Sequence, residues 1–359
     1  MIEVSVPGKL FIAGEYAVVE AGYPAVVIAV DQFITVSLSK TEKVGSIQSS
    51  QYGDLPIKWV RRNGELVLDK RENPFHYILA AIRITENYAK EIGRELGFFD
   101  LVISSELDNS KGRKYGLGSS GAVTVATVRA LAQFYELEAT DEIIYKLSAL
   151  AHLAVQGNGS TGDIAASVYT GWIAFSTFDK EWVEKRLETE SLGELIHQPW
   201  PKLRIERLPV PKKLRLLIGW TGTPASTANL VDKVQQASET EKDYYQQFLD
   251  ESKKIVEKLI TGFKEKNITI IQQQITENRK LLKQLGKHFG VNIETKKLER
   301  MIELAKAHHG AAKSSGAGGG DCGVVFFKEK DGIIPLVNDW EKEGITPLPL
   351  HVYEKGENV

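Results

Sequence analysis

A glycine- and serine-rich segment with cations beside it points most directly to chemistry. Residues 111–122 read Lys-Gly-Arg-Lys-Tyr-Gly-Leu-Gly-Ser-Ser-Gly-Ala, and a helical pattern of small residues continues from there to about Tyr135. Glycines let backbone N–H groups turn towards one point, and a helix that begins directly after them adds unpaired N–H groups and a partial positive charge. Such a turn suits a phosphate. The alternative is a tight loop in which Ser119 or Ser120 only caps the helix.

Two familiar nucleotide-binding patterns fit this segment less well. Residues 116–121 satisfy the dinucleotide pattern G-x-G-x-x-G, but residues 157–162 satisfy it as well. The first copy also follows its predicted strand only after about ten residues, whereas a Rossmann turn begins at the strand end. The sequence contains no Walker pattern G-x-x-x-x-G-K-[ST]. The segment therefore favours phosphate binding of another kind, with Lys111, Arg113 and Lys114 as cations at the entrance.

Two further segments share this composition. Residues 7–16 read Pro-Gly-Lys-Leu-Phe-Ile-Ala-Gly-Glu-Tyr, where Lys9 follows a turn at a strand end and can project into a cleft. A lysine in such a place is more often only solvated, and Tyr16 taken alone is more often a packing residue. Residues 313–323 read Lys-Ser-Ser-Gly-Ala-Gly-Gly-Gly-Asp-Cys-Gly. Glycines in this number directly before a strand destabilise the folded chain, so we expect something pressed against this backbone, with a flexible linker as the alternative.

The overall composition restricts the class of protein. The 359 residues include 45 Lys+Arg and 47 Asp+Glu, which disfavours a nucleic-acid binder or a polybasic membrane-surface protein. Cys322 is the only cysteine, so an intramolecular disulfide and a thiolate zinc site are excluded. The N-terminus has no secretory pattern, and no apolar run reaches the length of about 18 residues that spans a bilayer. We expect a cytoplasmic protein of about two domains, a monomer or a homodimer, without a membrane or nucleic-acid partner.

Strands and helices interleave in both halves of the chain without strict βαβ alternation, which favours the α+β class. A charged stretch with four prolines, residues 181–211, indicates the domain junction, and the predicted domains are residues 1–205 and 206–359. Strands are predicted at 2–6, 10–12, 25–38, 45–50, 57–60, 98–104, 214–220, 322–327 and 345–353. Helices are predicted from Asn73 and Pro74 to about Gly93, from Ser119 to Tyr135, after Thr140 to about Gln156, and within 225–262, 268–285 and 295–309.

The three glycine-rich segments, in this order, resemble the signature motifs of the GHMP kinases, and they span nearly the whole chain. The resemblance implies an α+β GHMP kinase fold. Its N-terminal domain would be like domain 2 of ribosomal protein S5, and its C-terminal domain would be ferredoxin-like. The resemblance also implies that ATP, with Mg²⁺, binds over the second segment and that the phosphate acceptor lies in the cleft between the domains.

Within the family, the motifs are most similar to those of the bacterial phosphomevalonate kinases. The first motif has Gly14, Glu15 and Tyr16 where mevalonate kinases typically carry Gly-Glu-His. The implied reaction transfers the γ-phosphoryl group of ATP to 5-phosphomevalonate and gives ADP and 5-diphosphomevalonate, in the mevalonate route to isoprenoids. The alternatives are a mevalonate kinase, a diphosphomevalonate decarboxylase or a non-catalytic relative that binds a metabolite.

The resemblance implies roles for individual residues. Lys9 and Lys114 would bridge the transferred group and the acceptor phosphate, with Arg113 as a weaker third. Ser120 would be a Mg²⁺ ligand, with Ser119 as the second choice. The residues implied at ATP are Gly116, Leu117, Gly118, Ser119, Ser120, Gly121 and Ala122. The residues implied at the acceptor are Tyr16, Ser160, Ser315, Gly316 and Ala317.

Asp163 follows the glycine turn of residues 157–162 and is similar to the acidic active-site residue of the family. The acceptor would be a phosphate monoester, whose second pKa is about 6, so a general base is nearly redundant at neutral pH. We expect Asp163 to orient Lys9 or to touch Mg²⁺, with a capping role as the alternative. Mevalonate kinases carry a Mg²⁺-ligating Glu at a position that corresponds, in this chain, to one near His152. We therefore expect a different metal shell and a histidine that packs on its helix.

Overall fold

Two β-sheets of different size organise the molecule. The computed structural model describes residues 1–50, 55–68, 75–107, 115–222, 227–330 and 332–356. One sheet has eight strands and lies in the first part of the chain, and the other has four strands and lies in the second part. Helices are interspersed among the strands of both parts. This mixture confirms the predicted α+β class.

The eight-stranded sheet is built around two long strands. β1 (Ile2–Ala13) pairs antiparallel with β2 (Pro24–Thr41), and the register shifts at Pro7/Gly8, next to Lys9. The sequence suggested two short strands here, but the structure joins them into one. The other strands are β3 (Gly45–Ser49), β4 (Ile57–Arg62), β5 (Glu65–Leu68), β6 (Phe98–Ser105), β7 (Trp172–Ser176) and β8 (Arg204–Arg207), in the order β5-β4-β3-β6-β2-β7-β8.

Four helices pack on this side of the protein: α1 (His76–Glu91), α2 (Ser119–Phe134), α3 (Asp141–Gln156) and α4 (Gly162–Tyr169). The helices α2 and α4 contact the strands, and α1 and α3 pack on other helices. The helix α2 is rich in Ala, Val and Thr, and it packs against both β1 and β2. Small side chains let the helix approach the sheet closely, so the start of α2 lies beside Lys9 of β1. The predicted cap at Asn73 and Pro74 lies outside the described residues.

The predicted junction contains regular structure. Within and beside residues 181–211 the chain forms α5 (Lys180–Leu187), α6 (Leu192–His197) and β8. Ser191 and Glu194 form a capping box at the start of α6. Because β8 pairs with β7, the first sheet continues across residues 205 and 206. The division of the chain at that point stays a prediction.

Long helices pack with the second sheet, whose strand order is β10-β11-β9-β12. Its strands are antiparallel, and α9 and α10 pack against β10. The elements are β9 (Arg215–Trp220), α7 (Thr227–Ser238), α8 (Lys242–Lys264), α9 (Ile268–His288), α10 (Lys296–Ala307), β10 (Ala311–Ser314), β11 (Cys322–Phe327), α11 (Ile333–Lys342) and β12 (Thr346–Leu348).

Two helices, α7 and α8, occupy the predicted helical range 225–262, and the chain turns between them. The hydroxyl of Ser238 donates to the carbonyl of Gln235 at 2.7 Å, and the hydroxyl of Thr240 donates to the carbonyl of Ala237 at 2.9 Å. These side chains satisfy carbonyl groups at the end of α7. The apolar periodicity continues through the turn, so it did not reveal the break.

The last predicted strand, residues 345–353, is also shorter in the structure. The strand β12 ends at Leu348, where the N–H of Leu350 donates to the carbonyl of Leu348 at 2.8 Å and turns the chain out of the ladder. The chain then returns to the first sheet, where Val352 forms an isolated bridge with Val30.

One hydrophobic core joins the two sheets. Trp172 of β7 packs against Phe263 of α8 and Phe326 of β11, with ring centroids 5.1 and 6.0 Å apart. This shared core fixes the first sheet and the second sheet relative to each other. Within the described residues, none of the helices is both long and apolar enough to cross a membrane.

Candidate active site

A cleft of about 410 Å³ lies where the three glycine-rich segments meet. The first segment contributes Lys9 and Tyr16, and the second contributes residues within 116–120. The third contributes residues within 316–321, and the first turn of α4 adds Asp163. Segments that are far apart in sequence therefore share one concave surface, as the motif order implied.

Lys9 lies at the junction of the first and second segments. Its backbone N–H donates to the carbonyl of Leu117 at 2.8 Å, and its Nζ donates to the carbonyl of Gly116 at 3.2 Å. Burial lowers the pKa of Lys9, while the negative charges of Asp163 and Asp321 act in the opposite direction. The ammonium group is thus held in a desolvated place beside two carboxylates, where an added anion interacts with it strongly.

The glycines of the second segment make room for charged side chains. A Cβ atom at Gly118 would lie 2.6 Å from Cε of Lys9, and one at Gly121 would lie 2.6 Å from Oδ2 of Asp163. Gly118 also has a φ of 78°, in the left-handed region that favours glycine. A larger residue at either position would push the lysine or the aspartate away from the start of α2.

The second segment ends at the N-terminus of α2. Gly118 occupies the cap position and has no side chain with which to bond the first N–H groups of the helix. Ser119 and Ser120, the first two helical residues, line the cleft. Free N–H groups and the positive end of the helix dipole therefore lie beside the cleft, which is the geometry of an anion site.

Three polar side chains meet beside that helix end. The Nε2 atom of His152 lies 3.3 Å from Oγ of Ser120 and 3.7 Å from Oδ2 of Asp163. His152 is buried, and its ring stacks on Tyr77 with the centroids 4.9 Å apart. His152 packs in the protein as expected, and its imidazole also lies between the predicted metal ligand Ser120 and the predicted acidic residue Asp163.

Hydrogen bonds join the first segment to the third. The hydroxyl of Tyr16 donates to the carbonyl of Ala317 at 2.6 Å, and the hydroxyl of Ser315 donates to the carbonyl of Phe11 at 2.8 Å. Burial raises the pKa of Tyr16, so its hydroxyl keeps its proton. Tyr16 and Ala317 line the cleft, whereas the hydroxyl of Ser315 is engaged within the protein. These hydrogen bonds fix the first and third segments to each other where both line the cleft.

The structure brings most of the predicted site residues to the cleft. Leu117 and Ala122 are buried in the core, and Gly121 contributes the space that Asp163 occupies. Residues 111–114, which include the predicted catalytic Lys114, lie outside the described residues. The binding roles of all these residues stay predictions. The predicted residues that line the cleft are Lys9, Tyr16, Gly116, Gly118, Ser119, Ser120, Ser160, Asp163, Gly316 and Ala317.

Sequence reasoning assigned no role at the site to Glu15, His152, Lys313 or Asp321. Glu15, His152 and Asp321 line the cleft, and Lys313 forms a buried ion pair with Glu15. Two of the four carry a signal in the sequence. Lys313 is a single charge within a strand of small residues, which indicates a buried partner. Asp321 lies between a glycine run and a buried strand, a position where a side chain points out of the turn.

The cysteine of the third segment is structural. Cys322 is buried at the start of β11, and its thiol lies 3.1 Å from the carbonyl of Tyr115. Burial raises the pKa of the thiol, so a reactive thiolate does not form.

Comparison with known proteins agrees with the site geometry. The family model for the GHMP kinase N-terminal domain matches residues 76–171, and the model for the GHMP kinase C-terminal domain matches residues 259–346. The phosphomevalonate kinase of Streptomyces sp. (strain CL190) is 37% identical over 96% of this chain and 95% of its own.

Solved structures give the same picture. The Lin0012 protein of Listeria innocua has a TM-score of 0.92 and 43% identity, and the match covers 98% of each chain. The Streptococcus pneumoniae phosphomevalonate kinase, in complex with phosphomevalonate and AMPPNP, has a TM-score of 0.85 and 30% identity, with 98% of this chain and 100% of that chain covered. The predicted family and fold are confirmed: the chain belongs to the GHMP kinase family.

Proposed function

We propose that this GHMP kinase transfers the γ-phosphoryl group of ATP to 5-phosphomevalonate. The observation that carries the proposal is that Lys9, the start of α2 and Asp163 meet at one cleft. Phosphoryl transfer depends on positioning and charge neutralisation more than on covalent chemistry by the protein. The predicted kinase activity is confirmed by relatives named as phosphomevalonate kinases, and the neighbour described with phosphomevalonate and AMPPNP supports both substrates.

The N-terminus of α2 is the place for the ATP phosphates. Backbone N–H groups near Gly118 and Ser119 donate to phosphate oxygens there, and the helix dipole adds a favourable potential. The acceptor then lies against the other wall, beside Tyr16, Ser160 and residues 316–317. This arrangement places the two phosphates on either side of Lys9.

Lys9 neutralises charge on the transferred group. The two substrates bring several negative charges into a cleft that already holds Asp163 and Asp321, so cations are needed to offset their repulsion. Bound phosphates favour the protonated form of Lys9 and oppose the effect of burial on its pKa. Lys114 is the proposed second cation, on the resemblance alone.

Asp163 positions groups rather than removing a proton. The acceptor oxygen belongs to a phosphate monoester, whose second pKa is about 6, so it is already ionised at neutral pH. Asp163 contributes negative charge beside Lys9, and it lies 3.7 Å from Nε2 of His152. These contacts orient the lysine and the start of α2 towards the reacting phosphates.

The donor atoms of the cleft fit Mg²⁺. The hydroxyl of Ser120 and the carboxylate of Asp163 are hard oxygen donors, and Mg²⁺ often takes only one or two protein ligands beside phosphate oxygens and water. The described residues contain no group of three His, Cys, Asp or Glu that would hold a metal without a nucleotide. Mg²⁺, when bound with ATP, supplies charge neutralisation at the phosphate oxygens.

A substrate panel tests the function. We would measure ADP release from ATP with mevalonate, 5-phosphomevalonate and 5-diphosphomevalonate, and carbon dioxide release in parallel. We expect ADP release with 5-phosphomevalonate and not with the other two compounds. The Lys9→Met variant, purified in the same way, controls for ADP release by a contaminating kinase. Faster turnover of mevalonate would indicate a mevalonate kinase, and release of carbon dioxide would indicate a diphosphomevalonate decarboxylase.

A further inference from the structure

A buried ion pair lies at the wall of the cleft, which Glu15 lines, and has no part in the chemistry described above. The side chain of Lys313 is 0% exposed and that of Glu15 is 2% exposed, and Nζ of Lys313 donates to Oε1 of Glu15. The same Nζ donates to the carbonyl of Ser314 at 2.6 Å. Within the described part of the chain, the second carboxylate oxygen of Glu15, Oε2, is buried and has no hydrogen-bond partner.

Stability is a weak reason for such a pair. Each ion loses several kcal/mol of hydration on burial, and replacing a buried pair by uncharged residues of similar volume is often neutral or stabilising. Burial lowers the pKa of Lys313, and Glu15 acts in the opposite direction by favouring the ammonium form. The pair is therefore maintained against a solvation penalty, and one carboxylate oxygen is left without compensation.

The position of the pair indicates what it does. Glu15 follows the turn at the end of β1, and Lys313 lies in β10, so the pair ties the first sheet to the second. The next residue, Tyr16, has a φ of 64°, which is unfavourable for a residue other than glycine. Backbone in such a conformation persists when its surroundings hold it on both sides.

Tyr16 is held on both sides. Its hydroxyl donates to the carbonyl of Ala317 in the third segment. The preceding residue, Glu15, pairs with Lys313, which lies four residues before Ala317 in that segment. Residues 15–16 and 313–317 therefore form a closed bridge between the first and third segments. Tyr16, Gly316 and Ala317 line the cleft on this side, so the bridge sets where that wall lies.

We propose that Glu15 and Lys313 are a positioning pair that fixes this wall of the cleft and so sets the affinity for the phosphorylated acceptor. The proposal rests on the proposed function, since it concerns the acceptor of that reaction. The pair acts through Tyr16 and the backbone of Gly316 and Ala317. Its contribution is to the placement of the wall, and the fold does not depend on it.

A second buried ion pair provides a matched control. Arg61 of β4 donates to Glu86 of α1 at 2.9 Å, and their side chains are 10% and 5% exposed. Neither residue lines the cleft. We would compare the double variant Glu15→Gln/Lys313→Met with the double variant Arg61→Met/Glu86→Gln, and each with the wild type.

The readouts are the melting temperature, the kcat, and the KM for each substrate. In Glu15→Gln/Lys313→Met we expect the KM for 5-phosphomevalonate to rise by about tenfold or more, while the KM for ATP stays within about twofold. The Arg61/Glu86 double variant keeps both KM values. Lys313→Met alone leaves a buried carboxylate unpaired, so it loses both thermal stability and acceptor affinity.

Each other outcome contradicts the positioning role. An unchanged KM for the acceptor in the Glu15/Lys313 double variant overturns it. So does failure of that variant to fold while the control folds, because the pair would then be a stability element. An equal rise in the KM for ATP also overturns it. A wild-type protein without activity on 5-phosphomevalonate overturns the proposed function itself, and the positioning role with it.

Discussion

The two glycine-rich loops at the cleft, residues 115–121 and 315–320, have similar composition but use their glycines differently. In the first loop, the space beside Gly116, Gly118 and Gly121 is filled by charged side chains, those of Asp321, Lys9 and Asp163. In the second loop, a Cβ atom at Gly318 would collide with the carbonyl of Ile293, while one at Gly316 would meet nothing within 4 Å.

This difference separates two reasons for a glycine. The first loop brings charged groups within reach of the start of α2, so its glycines serve the reaction. In the second loop, Gly318 lets the backbone pack against the segment that leads into α10, while Gly316 stays open towards the cleft. Glycine-rich sequence thus indicates a close approach in both loops, and tertiary structure decides whether chemistry or packing needs it.

The largest expected effect tests the charge that the first loop accommodates. Lys9→Met removes the cation against Gly118, and we expect kcat to fall by about 10³-fold, as when other preorganised groups at a transition state are removed. Steady-state kinetics with saturating substrates would measure this loss.

Thermal stability of the same variant has a predicted sign. The pKa of Lys9 is lower in the folded protein than in the unfolded chain, so protonated Lys9 reduces the free energy of unfolding. This penalty decreases as the pH rises from the lowered pKa towards the ordinary pKa of lysine. We therefore expect Lys9→Met to melt no lower than the wild type at pH 7. The control is Lys180→Met, since burial also lowers the pKa of Lys180 but that residue does not line the cleft. Equal losses of kcat in Lys9→Met and Lys180→Met would contradict the role of Lys9 in neutralising charge on the transferred group.

The next effect compares the two loops directly. Gly118 and Gly318 have similar φ values, 78° and 75°, so alanine introduces similar backbone strain at both. At Gly118 the new methyl group displaces Lys9, and we expect kcat to fall by about 100-fold. At Gly318 it meets backbone, so we expect the melting temperature to fall further while kcat stays within about threefold. Steady-state kinetics and thermal melting of both variants would test this. Equal losses of kcat, or equal losses of melting temperature, in the two variants would contradict the predicted difference between the loops.

The smallest expected effect concerns the side chain beside Gly121. Asp163→Asn keeps the shape but removes the charge, and we expect kcat to fall by only about tenfold, because the acceptor phosphate ionises with a second pKa of about 6 without help. A general base typically contributes about 10²–10⁴-fold. A loss in that range, together with a changed acid limb of the pH–rate profile, would make Asp163 the proton acceptor instead.

Much of the fold followed from local pattern. Thr140 was predicted as the cap of α3, and its side chain accepts the N–H of Ile143. The turn between β4 and β5 is also local in origin: Asn63 and Gly64 have φ values of 53° and 81°, which Asn and Gly adopt most easily. The pattern missed eight shorter elements, each of ten residues or fewer: β5, α4, β7, α5, α6, β8, β10 and α11.

The sequence by itself determined which chemistry is available: a lysine after a Pro-Gly pair, a helix that begins at a glycine loop, and an acidic residue after a glycine turn. Those signals are local, because backbone freedom and helix capping depend on near neighbours in the chain. Only the tertiary structure decided that His152 faces Ser120 and Asp163, and that Glu15 pairs with Lys313. The free energy of a buried charge depends on the groups that surround it, and those groups come from distant parts of the chain.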